Sequence, residues 1–343
     1  MAEYYRIKRH FTIIGHSQNI VELRWGTWNP VSFTVTDDSE SGKLFNLIKK
    51  LDGSLPSSTI ASQENVPKSD VDALIDHLIS LGVLEKGAGT ALDHYLDSSI
   101  PTLSRQSIDP KPILILGDEK LTSPLRSILT KTFPKSEIEL VDKDSQAYRL
   151  LAKNDTSWLM NGIQFFENIN HFKSWENSFV IFAFTNINPV QMRIMNRVAL
   201  ELNIPWIHSA IDGPFLLIGP TFEPKKSSCF ECLETRLLMN MRESASYSKY
   251  KNALEEAKVV AGDLPVLDAI SSLLASHVSL ETINYLTTKN NFTLGKMLSI
   301  HLPTMEFNYN EVLSVPSCTS CSSIPERDDQ ELYFDLRAFT EKQ

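Results

Sequence analysis

The sequence predicts an α/β protein in two parts, a large segment built on a mostly parallel sheet and a small α+β segment ahead of it. Three observations carry this reading. From Lys111 onward, short apolar runs alternate with helical patterns, the texture of a sheet covered by helices. Ile113-Leu114-Ile115-Leu116 and Phe179–Phe184 are continuous apolar runs, as expected of strands buried on both faces. Before residue 88, three runs rich in β-branched and aromatic residues precede three helical patterns.

In the first segment, residues 1–87, Tyr4 to Ile14, Asn19 to Gly26 and Val31 to Thr36 read as strands, and Trp28-Asn29-Pro30 turns the second into the third. Ser39 and Ser41 offer caps to a helix whose Leu44, Phe45, Leu47, Ile48 and Leu51 share one face. Ser57 to Gln63 forms a short helix. Pro67 opens a longer one, with Val71, Leu74, Ile75, Leu78 and Ile79 on one side, which Gly82 closes. Three strands and three helices, the last pair arranged helix-turn-helix, describe a winged-helix-like α+β domain. Residues 88–110 read as a linker, with Gly89, Pro101 and Pro110 and one short helix from Thr90 to Leu96.

Residues 111–343 form the second domain. Its strands are Ile113–Leu116, Ile138–Val141, Phe179–Phe184, Pro205–His208 and Phe215–Thr221, with helices over Leu121–Thr132 and Pro189–Leu202. A helical region spans Leu233 to Thr287, and Met297–Leu313 supplies two last strands.

Composition excludes several classes. The net charge of −9 disfavours nonspecific attraction to nucleic acid or anionic lipid. The first 87 residues hold nine Lys or Arg against eleven Asp or Glu, and Asp70, Asp72 and Asp76 on the third helix would face phosphates in a major-groove pose. The start of the chain lacks the apolar core of a signal peptide, and no later run reaches the length of a membrane span, so a cytoplasmic location is expected. No Gly-x-Ser-x-Gly elbow occurs.

All four cysteines fall in two pairs, Cys229-Phe-Glu-Cys232 and Cys318-Thr-Ser-Cys321. Two such knuckles supply four thiolates to one tetrahedral Zn²⁺, a closed and therefore structural site. Two redox pairs or disulfides are the alternatives. With zinc bound, no cysteine remains as a nucleophile.

The run Asn203-Ile-Pro-Trp-Ile-His-Ser-Ala, then Gly213, Gly219-Pro220 and the first knuckle, with the second knuckle returning after a helical region, resembles the ThiF-like, ubiquitin-activating superfamily. The resemblance spans residues 111 to 325 and implies a Rossmann-like ThiF-type sheet with a zinc-bound C-terminal lobe. Adenylating members carry a glycine-rich turn after the first strand. Here that turn reads Gly117-Asp118-Glu119-Lys120, and a carboxylate about 4 Å from a phosphate costs about 4 kcal/mol at an intermediate dielectric. Asp142 and Asp144 match the family's ribose-holding acids, or are solvated loop acids. Thr185-Asn186-Ile187-Asn188 stands where the family places an aspartate near magnesium.

A ThiF-like domain without its nucleotide loop, preceded by a winged-helix-like module, resembles the leader-peptide-binding partner proteins of azoline-forming cyclodehydratases, with an N-terminal RiPP recognition element. That resemblance implies a chain that is not catalytic alone. It implies a precursor peptide leader, a YcaO-type cyclodehydratase subunit, a flavin dehydrogenase and a second copy of the chain as partners. The leader would add as a strand beside Val31, Phe33 and Val35, against Val71, Leu74, Ile75 and Leu78 of the third helix. Arg24, Lys43, Lys49 and Lys50 would pair with its acids, or are ordinary surface charges. The rival implication is an ATP-dependent adenylating enzyme acting on a peptide carboxylate.

Overall fold

A computed structural model describes residues 3–86, 90–99, 111–260, 262 and 264–322. Gly87, Gly89, Pro101 and Pro110 of the expected linker lie outside the described residues, as does the stretch after 322. The chain divides into two compact units, Met1–Gln106 and Ser107–Gln343.

The first unit runs β1 (Tyr4–Ile7), β2 (Thr12–Gly15), β3 (Ile20–Trp25), β4 (Val31–Thr36), α1 (Leu44–Lys50), β5 (Asp52–Pro56), α2 (Ser57–Glu64), α3 (Lys68–Ser80), β6 (Leu84–Lys86) and α4 (Ala91–Ser99). The expected single strand Tyr4–Ile14 is two strands in two sheets. A turn closed by Phe11 N–H on the Lys8 carbonyl breaks it, and its halves pair with different strands. The sheets are β5-β1-β6 and β2-β3-β4, both antiparallel. The short β5 and β6, which carry Gly53, Pro56 and charged residues, have no strand-like composition, and only their pairing with β1 makes them strands. Val21 and Leu23 of β3 join Ile48 of α1, Ile60 of α2 and Val71, Ile75 and Leu78 of α3 in one core.

The second unit begins with β7 (Ile113–Gly117), α5 (Glu119–Thr132), β8 (Ile138–Leu140), α6 (Gln146–Ala152), α7 (Ser157–Met160), α8 (Gly162–Ile169) and a 3-10 turn over Asn170–Trp175. Next come β9 (Phe179–Phe184), α9 (Pro189–Leu202), β10 (Trp206–Asp212), β11 (Phe215–Phe222), α10 (Phe230–Asn240), α11 (Ser244–Glu255), α12 (Asp268–Thr288), β12 (Lys296–His301) and β13 (Glu306–Glu311). They build one seven-stranded sheet, β13-β12-β11-β10-β9-β7-β8. Four strands, β8, β7, β9 and β10, are parallel; β11, β12 and β13 run antiparallel to their neighbours. The sheet is therefore mixed: short hairpins join β10 to β11 and β12 to β13, the helices α10–α12 return the chain so that β12 lies antiparallel to β11, and helical connections join the parallel strands.

Helices cover both faces. Leu114, Leu116, Val180 and Phe182 share a core with α9, while Phe179 meets Tyr285 of α12 at 5.0 Å on the other face. The start of α9 is fixed chemically: Asn188 Oδ1 accepts from the amides of Val190 and Gln191, and Pro189 supplies a helical φ at N1. Gly117 is held by close backbone approach. A Cβ there would sit 1.5 Å from the Ala183 carbonyl oxygen, which itself accepts from Asp118 N–H at 3.1 Å. Gly117→Ala should thus spread β7 from β9 and destabilise the second unit by about 3 kcal/mol or more, measured by urea unfolding.

Candidate functional site

Among the described residues, three places bring several chemistry-bearing groups together. The first is the cysteine cluster. Cys229 caps α10 and Cys232 lies in its first turn, so the three-residue offset turns both sulfurs the same way. Cys318 and Cys321 return after β13. Cys229 Sγ lies 3.8 Å from Cys232 Sγ and 3.6 Å from Cys318 Sγ, and Cys232 Sγ lies 3.5 Å from Cys321 Sγ. All four sulfurs fall within 4.8 Å of one another and none is in a disulfide. Four sulfurs each about 2.3 Å from a tetrahedral Zn²⁺ would stand about 3.8 Å apart, so the donor set fits that ion.

Electrostatics favours a cation at the centre. Burial pushes the Cys229 thiol far above its usual range and that of Cys321 up to about 12. At Cys232 burial acts the same way, but the Val315 amide, donating to its sulfur at 3.3 Å, and the neighbouring thiols outweigh it and lower its pKa. A metal ion supplies the positive charge that makes four buried thiolates compatible. The surroundings hold the two knuckles together. Arg236 donates from Nε to the Leu313 carbonyl at 2.6 Å and from a terminal nitrogen to that of Ser314 at 3.2 Å, and Thr319 donates to Glu231 at 2.9 Å. Asn196 of α9 accepts from the Phe230 amide at 2.9 Å, fixing the start of α10.

The second place is a groove of about 440 Å³ in the first unit, between β4 and α3. Its walls are Thr34, Val35 and Thr36 on one side and Asp70, Ala73, Leu74 and His77 on the other, over a floor that includes Leu44, Leu47 and Val66. Among the described residues, β4 has a ladder partner on one side alone. Asp37 N–H donates to the Asn19 carbonyl at 2.9 Å, and antiparallel pairing alternates. Val31, Phe33 and Val35 therefore spend their backbone groups on β3, and Ser32, Thr34 and Thr36 turn N–H and C=O to the open edge. Beyond β4, Asp37 fixes the loop bordering the groove. Its carboxylate accepts from Ser39 Oγ at 2.6 Å and Ser41 Oγ at 2.5 Å, as well as from both amides, bonds that hold its pKa down near 2.

The expected peptide contacts divide accordingly. Val35 and Leu74 line the groove. Val71, Ile75 and Leu78 do not; they are buried in the core, and the helix face they mark is its inner one. The groove face is the adjacent stripe, Asp70-Ala73-Leu74-His77, whose mixed polarity gave the sequence pattern nothing to detect. Phe33 is half-buried on the core side of β4, and Val31 is exposed at its start. Of the basic residues, Lys43 reaches the groove and donates to the Asn65 carbonyl at 2.7 Å. Lys50 pairs with Glu64 at 2.5 Å, and Arg24 donates to the carbonyls of Gly26 and Thr27, so both are engaged within the fold.

Where strand order reverses between β7 and β9, a third cavity of about 450 Å³ opens. Asp118, at the start of α5, accepts from the Thr185 amide at 2.6 Å and from its hydroxyl at 2.7 Å, and so ties the two strand ends across the cavity mouth. Asp142 accepts from the Asp144 amide at 2.9 Å and Asp144 pairs with Arg149 at 3.2 Å, so this acid pair serves its own loop. His208 is fully enclosed in β10, and burial lowers its pKa to about 4, which keeps it neutral.

If the four sulfurs hold a zinc ion, replacing Cys229 with Ser should abolish stoichiometric metal and a large share of the roughly 10–16 kcal/mol that a structural zinc contributes to folding. Zinc content and the melting curve of the second unit report both effects. A variant that keeps its metal and melts like the parent would refute the clamp.

No protein-family model matches the sequence, and no curated protein matches it. Solved structures do match in fold. One is the heterocyclase TruD, at 17% identity and a TM-score of 0.65, covering 93% of this chain and 43% of that one. Another is a heterocyclase in complex with substrate and cofactor, at 14% identity and a TM-score of 0.67, covering 96% of this chain and 41% of that one. E. coli MccB, solved with ATP, is 14% identical with a TM-score of 0.54, covering 93% of this chain and 99% of that one. The chain thus spans about two-fifths of the heterocyclases and nearly all of MccB, and what it shares with them is an architecture.

Proposed function

We propose that this chain is the non-catalytic subunit that binds the leader of a ribosomal precursor peptide and presents it to a YcaO-type, ATP-dependent cyclodehydratase that closes thiazoline or oxazoline rings. The observation that carries the reading is the open edge of β4 beside an apolar-floored groove. An extended peptide adds there as a fourth strand, bonding to Ser32, Thr34 and Thr36, while its alternate side chains enter the groove over Leu44, Leu47 and Leu74. The fold likeness to heterocyclases supports it. In such an assembly the chain's own contribution is effective concentration: a tethered leader keeps each downstream Cys, Ser or Thr near the partner's active site. The four cysteines are assigned to structural zinc, which would hold the C-terminal lobe and leave no open coordination position. A flavin dehydrogenase acting after ring closure belongs to the same proposal.

One observation favours the second reading, an adenylating enzyme acting on a peptide carboxylate: the match to MccB runs over 99% of a protein solved with ATP. Against it stands Asp118, whose carboxylate is fixed by Thr185 at the place where strand order reverses, with Glu119 beside it. Anions at a helix start repel a phosphate that the helix dipole would otherwise attract.

Two measurements separate these readings. Thr34→Pro removes an outward N–H without taking a bond from the β3 ladder, so the fold should persist. Affinity for a fluorescein-labelled leader from an adjacent precursor should fall about tenfold or more by fluorescence polarisation. Unchanged affinity overturns the assignment of the groove. Titration with a fluorescent ATP analogue should give no saturable binding in the micromolar range, and clear saturation establishes the adenylating reading instead.

A further inference from the structure

His10 lies in the turn between β1 and β2 and His94 on α4, 84 residues further on, and their Nδ1 atoms stand 3.0 Å apart. Each is held by its surroundings. The His10 ring packs against Phe11 and Trp25, with centroids 4.4 Å and 4.9 Å away. α4 starts with a reciprocal cap, in which Thr90 Oγ1 accepts from the Asp93 amide at 3.1 Å and the Asp93 carboxylate accepts from the Thr90 amide at 2.7 Å. Past His94 on the same helix, Leu96 is buried and Asp97 pairs with Lys8 at 3.0 Å. Neither imidazole belongs to the β4 groove or to the cysteine cluster.

Two facing imidazole nitrogens can share a proton, one donating and the other accepting, or can both give their lone pairs to a metal ion. Metal–imidazole bonds run about 2.0–2.1 Å, so nitrogens 3.0 Å apart subtend about 95° at a shared ion. The tetrahedral angle would part them by about 3.3–3.4 Å. A cis pair near 90° belongs instead to square-planar or tetragonal coordination, which copper(II) and nickel(II) adopt with nitrogen and oxygen donors. The ring centroids lie only 4.8 Å apart with the planes tilted by 33°, too close for two nitrogens aimed straight at each other. The lone pairs are therefore turned off the line between them, as an ion beside that line requires. Lys8, close enough to act on His10 electrostatically, has its charge matched by Asp97. His94 is exposed, which leaves the other coordination positions to water.

We propose that Nδ1 of His10 and Nδ1 of His94 bind one copper(II) or nickel(II) ion, with water in its other positions, and that the ion fastens α4 to the β1–β2 turn. Copper(II) binds the more tightly of the two by the usual order of affinities. The site shares no residue with the groove or the thiols, so it stands or falls apart from the functional reading.

Nickel(II) serves as the probe because it leaves thiols unoxidised. The untagged full chain, supplied with zinc beforehand, should bind one equivalent of Ni²⁺ with a dissociation constant in the micromolar range. Isothermal titration reads the binding, and so does quenching of tryptophan fluorescence, since the Trp25 ring lies 4.9 Å from that of His10. His94→Ala removes a ligand from an exposed helix position and should raise the constant about tenfold or more. His10→Phe, which keeps a ring against Trp25, should do the same, and both variants should keep the zinc content of the parent. Absence of saturable Ni²⁺ binding overturns the proposal, as does binding indifferent to His94→Ala. Release of zinc in step with nickel uptake also overturns it, because the ion would then sit at the cysteines.

Discussion

The large unit depends on two pairs of thiols meeting across a sequence separation of 89 residues, between which lie most of α10, α11, α12, β12 and β13. Closing so long a loop is costly in chain entropy, though the cost rises only slowly with length. What offsets it is the chemistry at the closure point, where a tetrahedral cation would satisfy four buried sulfurs at once. Arg236 on the carbonyls of Leu313 and Ser314, with Thr319 on Glu231, brings the second knuckle to the first through ordinary hydrogen bonds. The end of the sheet that carries β12 and β13 is thereby tied to the helical layer above α9.

At the other end of that unit, the reversal of strand order is a place where open α/β sheets bind ligands. Here the same geometry is used for internal closure. Gly117 is required by the approach of Ala183, and Asp118 accepts two hydrogen bonds from Thr185. Among the described residues no helix is long and apolar enough to cross a membrane.

The small unit is organised on the opposite principle, with backbone groups left unspent. The β3–β4 ladder and the inner stripe of α3 secure the core, so the outer edge of β4 and the outer stripe of α3 are free to face one another across a groove. Asp37, with its four donors from Ser39 and Ser41, keeps the loop at the groove's end from folding over it. A stable core and an open edge coexist because in a strand successive residues face opposite ways, in both side chains and hydrogen bonds.

Local pattern alone located most of the elements. The apolar runs of β7 and β9, the helix α9 from Pro189, the strands β3 and β4 and the four cysteines as one set were all legible, because each follows from a short-range rule of period or spacing. Three things were not. The break between β1 and β2 and the very existence of β5 and β6 depend on which distant strand each segment meets, and no local composition encodes that. The helices between Gln146 and Trp175 interrupt what reads as featureless sequence, since their apolar residues are spread over short pieces. The groove face of α3 lies beside the strongest apolar stripe, not on it, because that stripe is what the core consumes. The sequence by itself determined the periodicities and the thiol set; tertiary structure decided which face of each element was left over after the core was filled, because the core consumes the strongest apolar stripe first.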